Sequence, residues 1–156
     1  MLTFTSGDMF AVPARVRINT VNCVGVMGKG VALAFKQRYP TMFDYYRREC
    51  QAGLVQPGKL LVWQDSETLP SLAETVVNFP TKRHWRDDSR LEDIISGLEA
   101  LRTFLETRGT DVVTVPALGC GHGGLDWRIV RPSVESSLAD LKADIRVYSP
   151  LDSRRW

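Results

Sequence analysis

No apolar run in this 156-residue chain approaches the roughly 20 residues that a membrane span requires. The first residues, MLTFTSGDMF, have neither the basic start nor the long apolar centre of a secretory leader. A cytoplasmic location without a membrane partner is the expectation. Cysteine is scarce: Cys23, Cys50 and Cys120 are odd in number, far apart, and form no C-x-x-C pair. With two histidines in the whole chain, neither a disulfide framework nor a zinc site follows. Three reduced thiols are expected, with no metal and no cofactor. The G-K-[ST] of a Walker loop is missing, and no G-x-G-x-x-G follows the first strand as a dinucleotide fold requires. A net charge of only +2 excludes a strongly polycationic nucleic-acid binder and leaves that question to local clustering. Repeats, low-complexity tracts and linkers are absent too.

What remains suits one domain over residues 1–156, because a chain of this size hides roughly two thirds of its unfolded surface. A monomer is expected. Residues 2–5 and 15–20 read as short strands, with Gly7-Asp8 as a turn after the first. A helix over 31–39 is interrupted by Pro40, and a second runs to about Cys50, ending near Gly53. KLLVWQ (59–64) and TVVNF (75–79) read as interior strands separated by the polar stretch 65–74. Ser89 and Glu92 have the spacing of a capping box. Leu91, Ile94, Ile95, Leu98, Leu101, Phe104 and Leu105 then mark one helical face, which Gly109 stops. DVVTVPAL (111–118) is a buried strand, GCGHGG a glycine loop, Asp126 a cap for a helix reaching about Leu141, and 144–148 a final strand. Strands alternating with helices imply an α/β sandwich on a largely parallel sheet.

In such sheets ligands lie outside the carboxyl ends of the strands, which directs attention to three loops. The loop at 119–124 packs four glycines into six residues, exposing N–H groups that can converge on a diphosphate; a tight strand-to-helix turn is the plain alternative. The loop N-T-V-N-C-V-G-V-M-G-K-G offers Asn19 and Asn22 to sugar hydroxyls, unless both serve as Asx turns, and Lys29 has no role assigned. In the third loop, Lys82 directly follows an apolar strand beside Arg83, His84, Trp85 and Arg86. Neighbouring positive charge should lower its pKa and free the amine as a nucleophile or base. The same cations and indole can hold phosphates and stack an unpaired base, against the ordinary reading of a solvated basic loop. Asp126 is a cap or a water-orienting carboxylate; Asp8 is a turn residue or an acceptor for an adenine amino group. His122 has no serine or cysteine nucleophile in a recognisable arrangement beside it.

SGDMF, INTVNCVGVMGKGVALAFKQRYP, NFPTKRHWR and PALGCGHGGLDW, in this order and nearly spanning the chain, together resemble macrodomains. The likeness is strongest to the DarG-type DNA ADP-ribosyl glycohydrolase antitoxins, in the branch with the terminal ADP-ribose protein glycohydrolases. The resemblance implies a three-layer α/β/α sandwich with a mixed, centrally parallel sheet and an ADP-ribose cleft across its strand ends. Asp8 would meet the adenine and Asn22 the distal ribose, with Met9, Asn19, Gly28, Gly30, Val31, Pro80 and Thr81 as further ADP-ribose-binding residues. Gly119, Cys120, Gly121, His122, Gly123 and Gly124 would hold the diphosphate, with Leu118 and Leu125 as further ADP-ribose-binding residues. Lys82 matches the catalytic lysine of the branch, and Asp126 a proton-passing carboxylate of its protein-directed members.

The implied reaction frees ADP-ribose from thymidine bases in single-stranded DNA, undoing a DarT-type toxin, with Arg83, His84, Trp85 and Arg86 as DNA contacts. A pure ADP-ribose reader, or a hydrolase acting on protein carboxylates, would use the same cleft. The signature of the water-activating macrodomains is missing, so their substrate-assisted route is not implied. DarG proteins continue into a toxin-contacting region, whereas this chain stops at Trp156, as a piece of a longer antitoxin or a free-standing enzyme.

Overall fold

The computed structural model describes residues 1–65, 69 and 73–150. Along the chain they form β1 (Leu2–Thr5), β2 (Val16–Val21), α1 (Gly30–Arg38), α2 (Pro40–Gln51), β3 (Leu61–Gln64) and β4 (Thr75–Pro80). Then come α3 (Leu91–Glu106), β5 (Val112–Val115), a single 3-10 turn (Gly121–Gly123), α4 (Trp127–Leu138) and β6 (Asp144–Tyr148). The strands make one sheet in the order β1-β6-β5-β2-β4-β3, parallel except where β3 pairs antiparallel with β4.

Two apolar clusters, one per face, make the three layers. Strand alternation sends Val16 and Ile18 of β2 and Val77 and Phe79 of β4 to the side covered by Ile94, Leu98, Leu101 and Leu105 of α3 and Val130, Val134 and Leu138 of α4. On the other side Val21 and Val76 meet Phe35 of α1 and Met42 and Tyr46 of α2. The chain turns from α1 into α2 at Pro40, whose missing N–H costs nothing at a helix start. Arg17, 1% exposed, is tolerated inside because its guanidinium donates to Met9 O and Val12 O at 2.7 Å each and lies 3.5 Å from Glu74.

Three expectations are corrected. Residues 59–64 do not form an interior strand: β3 is a sheet edge with alternating burial, since only one of its faces is covered. The Ser89–Glu92 capping box does not form. The N-cap of α3 is Arg90, without a side-chain cap, and the buried Ser89 donates its N–H to Gly123 O at 2.8 Å. Ile95 stands 42% exposed, outside the buried stripe of α3. At the other ends, α4 stops at Leu138, three residues short of Leu141. Of the polar stretch 65–74, the Asp65 N–H donates to Glu74 O, while 66–68 and 70–72 lie outside the described residues.

The contact between α3 and β4 is closest at Gly97, where an added Cβ would collide with the Phe79 ring. That ring is wholly buried and has no room to retreat. Alanine's helix propensity favours Gly97→Ala by about 1 kcal/mol, but overpacking costs about 1–3 kcal/mol, so the clash should win. Gly97→Ala is expected to lower the urea midpoint without changing the slope. An unchanged midpoint would show that the α3–β4 contact is looser than described.

Candidate functional site

The carboxyl ends of β2, β4 and β5 open into one cleft of about 370 Å³. Its walls come from Asn22, Val26, Gly28, Lys29 and Val31 after β2; from Thr81, Lys82, Trp85 and Arg86 with Asp87 and Asp88 after β4; and from Gly119, Cys120, His122 and Gly123 after β5. A smaller depression of about 190 Å³ adjoins it through the shared Val31 and is lined by Asp8, Met9, Phe10 and Gly30. There Asp8 is an Asx turn, its Oδ1 accepting from Phe10 N at 2.9 Å, and Met9 is 2% exposed.

The glycine loop has its shape because Gly119, Gly121 and Gly124 take φ of +73°, +70° and +77°, a region that penalises any side chain. At Gly119 a Cβ would also stand 2.9 Å from Leu125 Cδ1 and 3.0 Å from Ile94 Cδ1. Leu118 is fully buried beneath the loop and Leu125 supports it, donating its N–H to Gly119 O at 3.0 Å; neither lines the cleft. Gly121 and Gly124 shape the turn from outside the lining, and Pro80 closes β4 as a buried residue next to Thr81.

The two asparagines part company. Asn19 is completely buried and donates to Asn78 Oδ1 at 3.0 Å, joining β2 to β4 at the matched register position below the cleft floor. Asn22 lies at the cleft wall, where its Oδ1 accepts from Val24 N at 3.1 Å, Val26 N at 3.3 Å and Tyr46 OH at 2.8 Å. Its Nδ2 donates to Val26 O at 2.7 Å. The side chain therefore templates the loop and keeps one amide hydrogen for a ligand.

Lys82 sits inside the cleft, half-buried, and its Nζ donates to Trp85 O at 3.4 Å. Burial pushes its pKa down and the facing Lys29 adds to this, while Asp88 and Asp87 oppose it. The depression expected from the sequence is present, but burial leads and the contributing cation is Lys29. Arg83 instead turns to α3 and pairs with Asp93 through two bonds of 3.2 Å. Arg86 lies over the Trp85 ring, 4.6 Å from its centroid, and His84 Nδ1 accepts from Arg86 N at 3.1 Å. Only Trp85 and Arg86 of the four expected DNA contacts line the cleft. His122, also lining it, is held below the ordinary imidazole range by burial and by the charges of Lys82 and Lys29.

Asp126 is outside the lining. It caps α4, accepting from Arg128 N at 2.9 Å, and its carboxylate meets the Arg128 guanidinium at 2.8 Å, which holds the carboxyl below its usual range. The thiols are poor nucleophiles here, since burial pushes Cys23 and Cys120 up to about 11. No cluster of three metal-ligating side chains occurs among the described residues, and none of their helices is long and apolar enough to cross a membrane. Lys29, Asp87 and Asp88 were missed as cleft residues; the only hint was that each adjoins a loop leaving a strand end. Ser89 was misread as a cap when its N–H in fact ties the Lys82 loop to the glycine loop.

The family model for the Macro domain matches residues 18–134. The chain belongs to the macrodomain family. Within it, similarity runs over nearly its whole length to macrodomains of the DarG type: it is 43% identical to the macrodomain of Mycobacterium tuberculosis DarG, with a TM-score of 0.89 over 96% of this chain and 98% of that one. Thermosipho africanus DarTG in complex with ADP-ribose is 35% identical, with a TM-score of 0.87 over 96% of this chain and 42% of that one. The M. tuberculosis protein named DNA ADP-ribosyl glycohydrolase is 43% identical over 156 residues, 99% of this chain and 44% of that protein. The chain thus spans less than half the length of the curated relatives it matches.

Because Lys29 and Asp88 push Lys82 in opposite directions, their removal should have opposite signs. In an NMR titration of the Lys82 side chain, Lys29→Gln should move the midpoint up in pH and Asp88→Asn should move it down. An unmoved midpoint in both variants would mean that burial alone governs the amine.

Proposed function

We propose that this macrodomain binds ADP-ribose along its cleft and releases it from thymidine bases in single-stranded DNA. The observation that carries the reading is the depressed, half-buried amine of Lys82, held by Trp85 O in the same cavity as Asn22 and the glycine loop. The adenine would occupy the depression of Asp8, Met9 and Gly30, and the diphosphate the loop around Gly119–Gly124. The distal ribose would lie between the free amide hydrogen of Asn22 and Lys82.

Cleavage of the N-glycosidic bond develops positive charge at the anomeric carbon of the distal ribose. A neutral Lys82 amine can attack that carbon and expel the base, its two protons passing to the departing base nitrogen and to the ring oxygen as the sugar opens. The resulting imine takes up water, which returns the amine and frees ADP-ribose. The names and likeness of the DarG proteins support DNA as the target, as does the placement of Trp85 and Arg86 beside the amine. The engagement of Asp126 with Arg128, away from the cleft, speaks against a route through a carboxylate at that position. By the same likeness, a DarT-type transferase is the proposed partner whose modification is undone.

The test is an oligonucleotide carrying one ADP-ribosylated thymidine. Lys82→Ala should lose turnover by about 10² or more, while its affinity for free ADP-ribose stays within a few-fold. Sodium cyanoborohydride added during wild-type turnover should fix an ADP-ribose mass on Lys82. Full turnover by Lys82→Ala would remove Lys82 as the nucleophile, and absence of turnover by the wild type would reduce the domain to a binding module.

The pH dependence has a definite sign. The protonated amine is inactive, so kcat/KM should rise with pH as Lys82 loses its proton, and this limb should lie below the ordinary lysine value of 10.5. A rise centred at or above that value would contradict the role of the buried amine.

A further inference from the structure

Of the large apolar side chains exposed among the described residues, Met1, Leu54, Val62, Leu69, Ile95 and Ile129 are outside the cleft lining. Val26 and Trp85, 41% and 46% exposed, are in the lining, and Val24, 45% exposed, lies on the same loop as Val26, two residues before it. The two loops that carry them are clasped side by side. Cys23 N donates to Arg83 O at 3.3 Å, and the Cys23 thiol lies 3.5 Å from Lys82 O, so Val24 and Trp85 each stand within two residues of the clasp. Val26 and Trp85 line the cleft itself. Placing apolar groups in water is unfavourable unless something covers them, and three at the open end of a polar cleft form a patch with a use.

We infer that Val24, Val26 and Trp85 form a subsite for the leaving base, an unpaired pyrimidine that stacks on the exposed surface of the Trp85 indole while its ribosyl bond lies against Lys82. The inference rests on the proposed release of ADP-ribose from DNA and adds to it the group that recognises what departs. The Lys82 amine and the Trp85 ring are one unit, because the amine is bonded to the carbonyl of that very residue. A base lying on the indole therefore has its sugar bond beside the nucleophile. Arg86, 4.6 Å from the centroid, and the His84 ring, at 5.2 Å and tilted by 32°, both lie against the indole, which is still 46% exposed, and this exposed surface is what a base would cover. The charge of Arg86 and that of Lys29 also flank the mouth, where the phosphates on either side of a modified nucleotide would pass. A protein carboxylate as leaving group offers no aromatic ring to stack and gains little from the indole, so the patch selects a nucleobase over a carboxylate.

Binding can be read without turnover in the Lys82→Ala background, by calorimetry with two probes: free ADP-ribose, and thymidine carrying ADP-ribose on its base. The second probe has no DNA phosphate, which separates stacking from Arg86. The modified thymidine should bind more tightly than ADP-ribose by on the order of 10-fold, the usual contribution of one stacked base. Adding Trp85→Ala, which removes the indole and leaves the backbone in place, should abolish that difference while ADP-ribose affinity stays within two-fold. Trp85→Phe should restore most of the difference, and Val24→Ser with Val26→Ser should cut it by a few-fold. Equal affinity for the two probes at the outset, or a difference that survives Trp85→Ala, overturns the subsite. Absence of turnover by the wild type on the modified oligonucleotide would sink the proposed reaction instead, and the affinity comparison would still decide the platform.

Discussion

The parallel pairing of β2 with β4 is the constraint on which the site depends. Its register sets Asn19 against Asn78 and Val21 against Pro80, so both strands end at the same level. Asn22 and Thr81 then leave the sheet side by side, with Thr81 N still bonded to Val21 O at 2.9 Å. A slip of one residue would exchange the two faces of β4. It would bury Lys82 or turn it away and leave Asn22 alone at the floor. The Asn19–Asn78 hydrogen bond sits at this junction, fully buried, and a register shift would leave both amides unpaired, at about 1–3 kcal/mol each. The pair thus penalises the wrong alignment just beneath the cleft, where alignment matters most.

From that junction the Lys82 loop is fastened at three more points: Cys23 N to Arg83 O, the Arg83 guanidinium to Asp93 on α3, and Ser89 N to Gly123 O. The last contact has a consequence for binding. Since Gly123 belongs to the turn proposed to hold the diphosphate, an anion that orders the turn also orders the far end of the loop bearing the amine. Phosphates remote from the reacting carbon thereby help to position the nucleophile, which is how binding energy at a distance serves a chemical step.

Much of this was legible in the sequence, because the signals are local. Glycines crowded at 119–124 have positive φ where a side chain would strain the turn, and the 3.6-residue stripe of Ile94, Leu98, Leu101 and Leu105 does face the sheet. What could not be read depends on contacts between distant segments. Nothing within LLVW tells an edge strand from an interior one, since the difference lies in whether a neighbour pairs on its other side. Asn19 and Asn22 look equivalent until the pleat sends one into the sheet and the strand end releases the other. Among four cationic or polar neighbours of Trp85, the removal of Arg83 from the cleft follows from Asp93 standing on a helix that has yet to dock. The Ser89 cap failed for the same reason: tertiary bonding to Gly123 claims the segment that would have closed a capping box.

The electrostatics of the cleft follow from this sorting of charges. Had all the cations of the loop faced inward, the amine would be depressed, but two arginines would compete with it for the substrate's phosphates. With Arg83 spent on Asp93 and Arg86 held over the indole at the mouth, the cleft lining sets Lys29, Lys82, Arg86 and His122 against Asp87 and Asp88. Burial and Lys29 disfavour a proton on Lys82, and the aspartates limit how far this goes. The substrate brings its diphosphate with it, and that negative charge favours the protonated amine from the moment of binding. On the proposed reaction, burial and Lys29 therefore have to hold part of Lys82 in the free form against both the aspartates and the bound phosphates, so that the amine can attack the anomeric carbon.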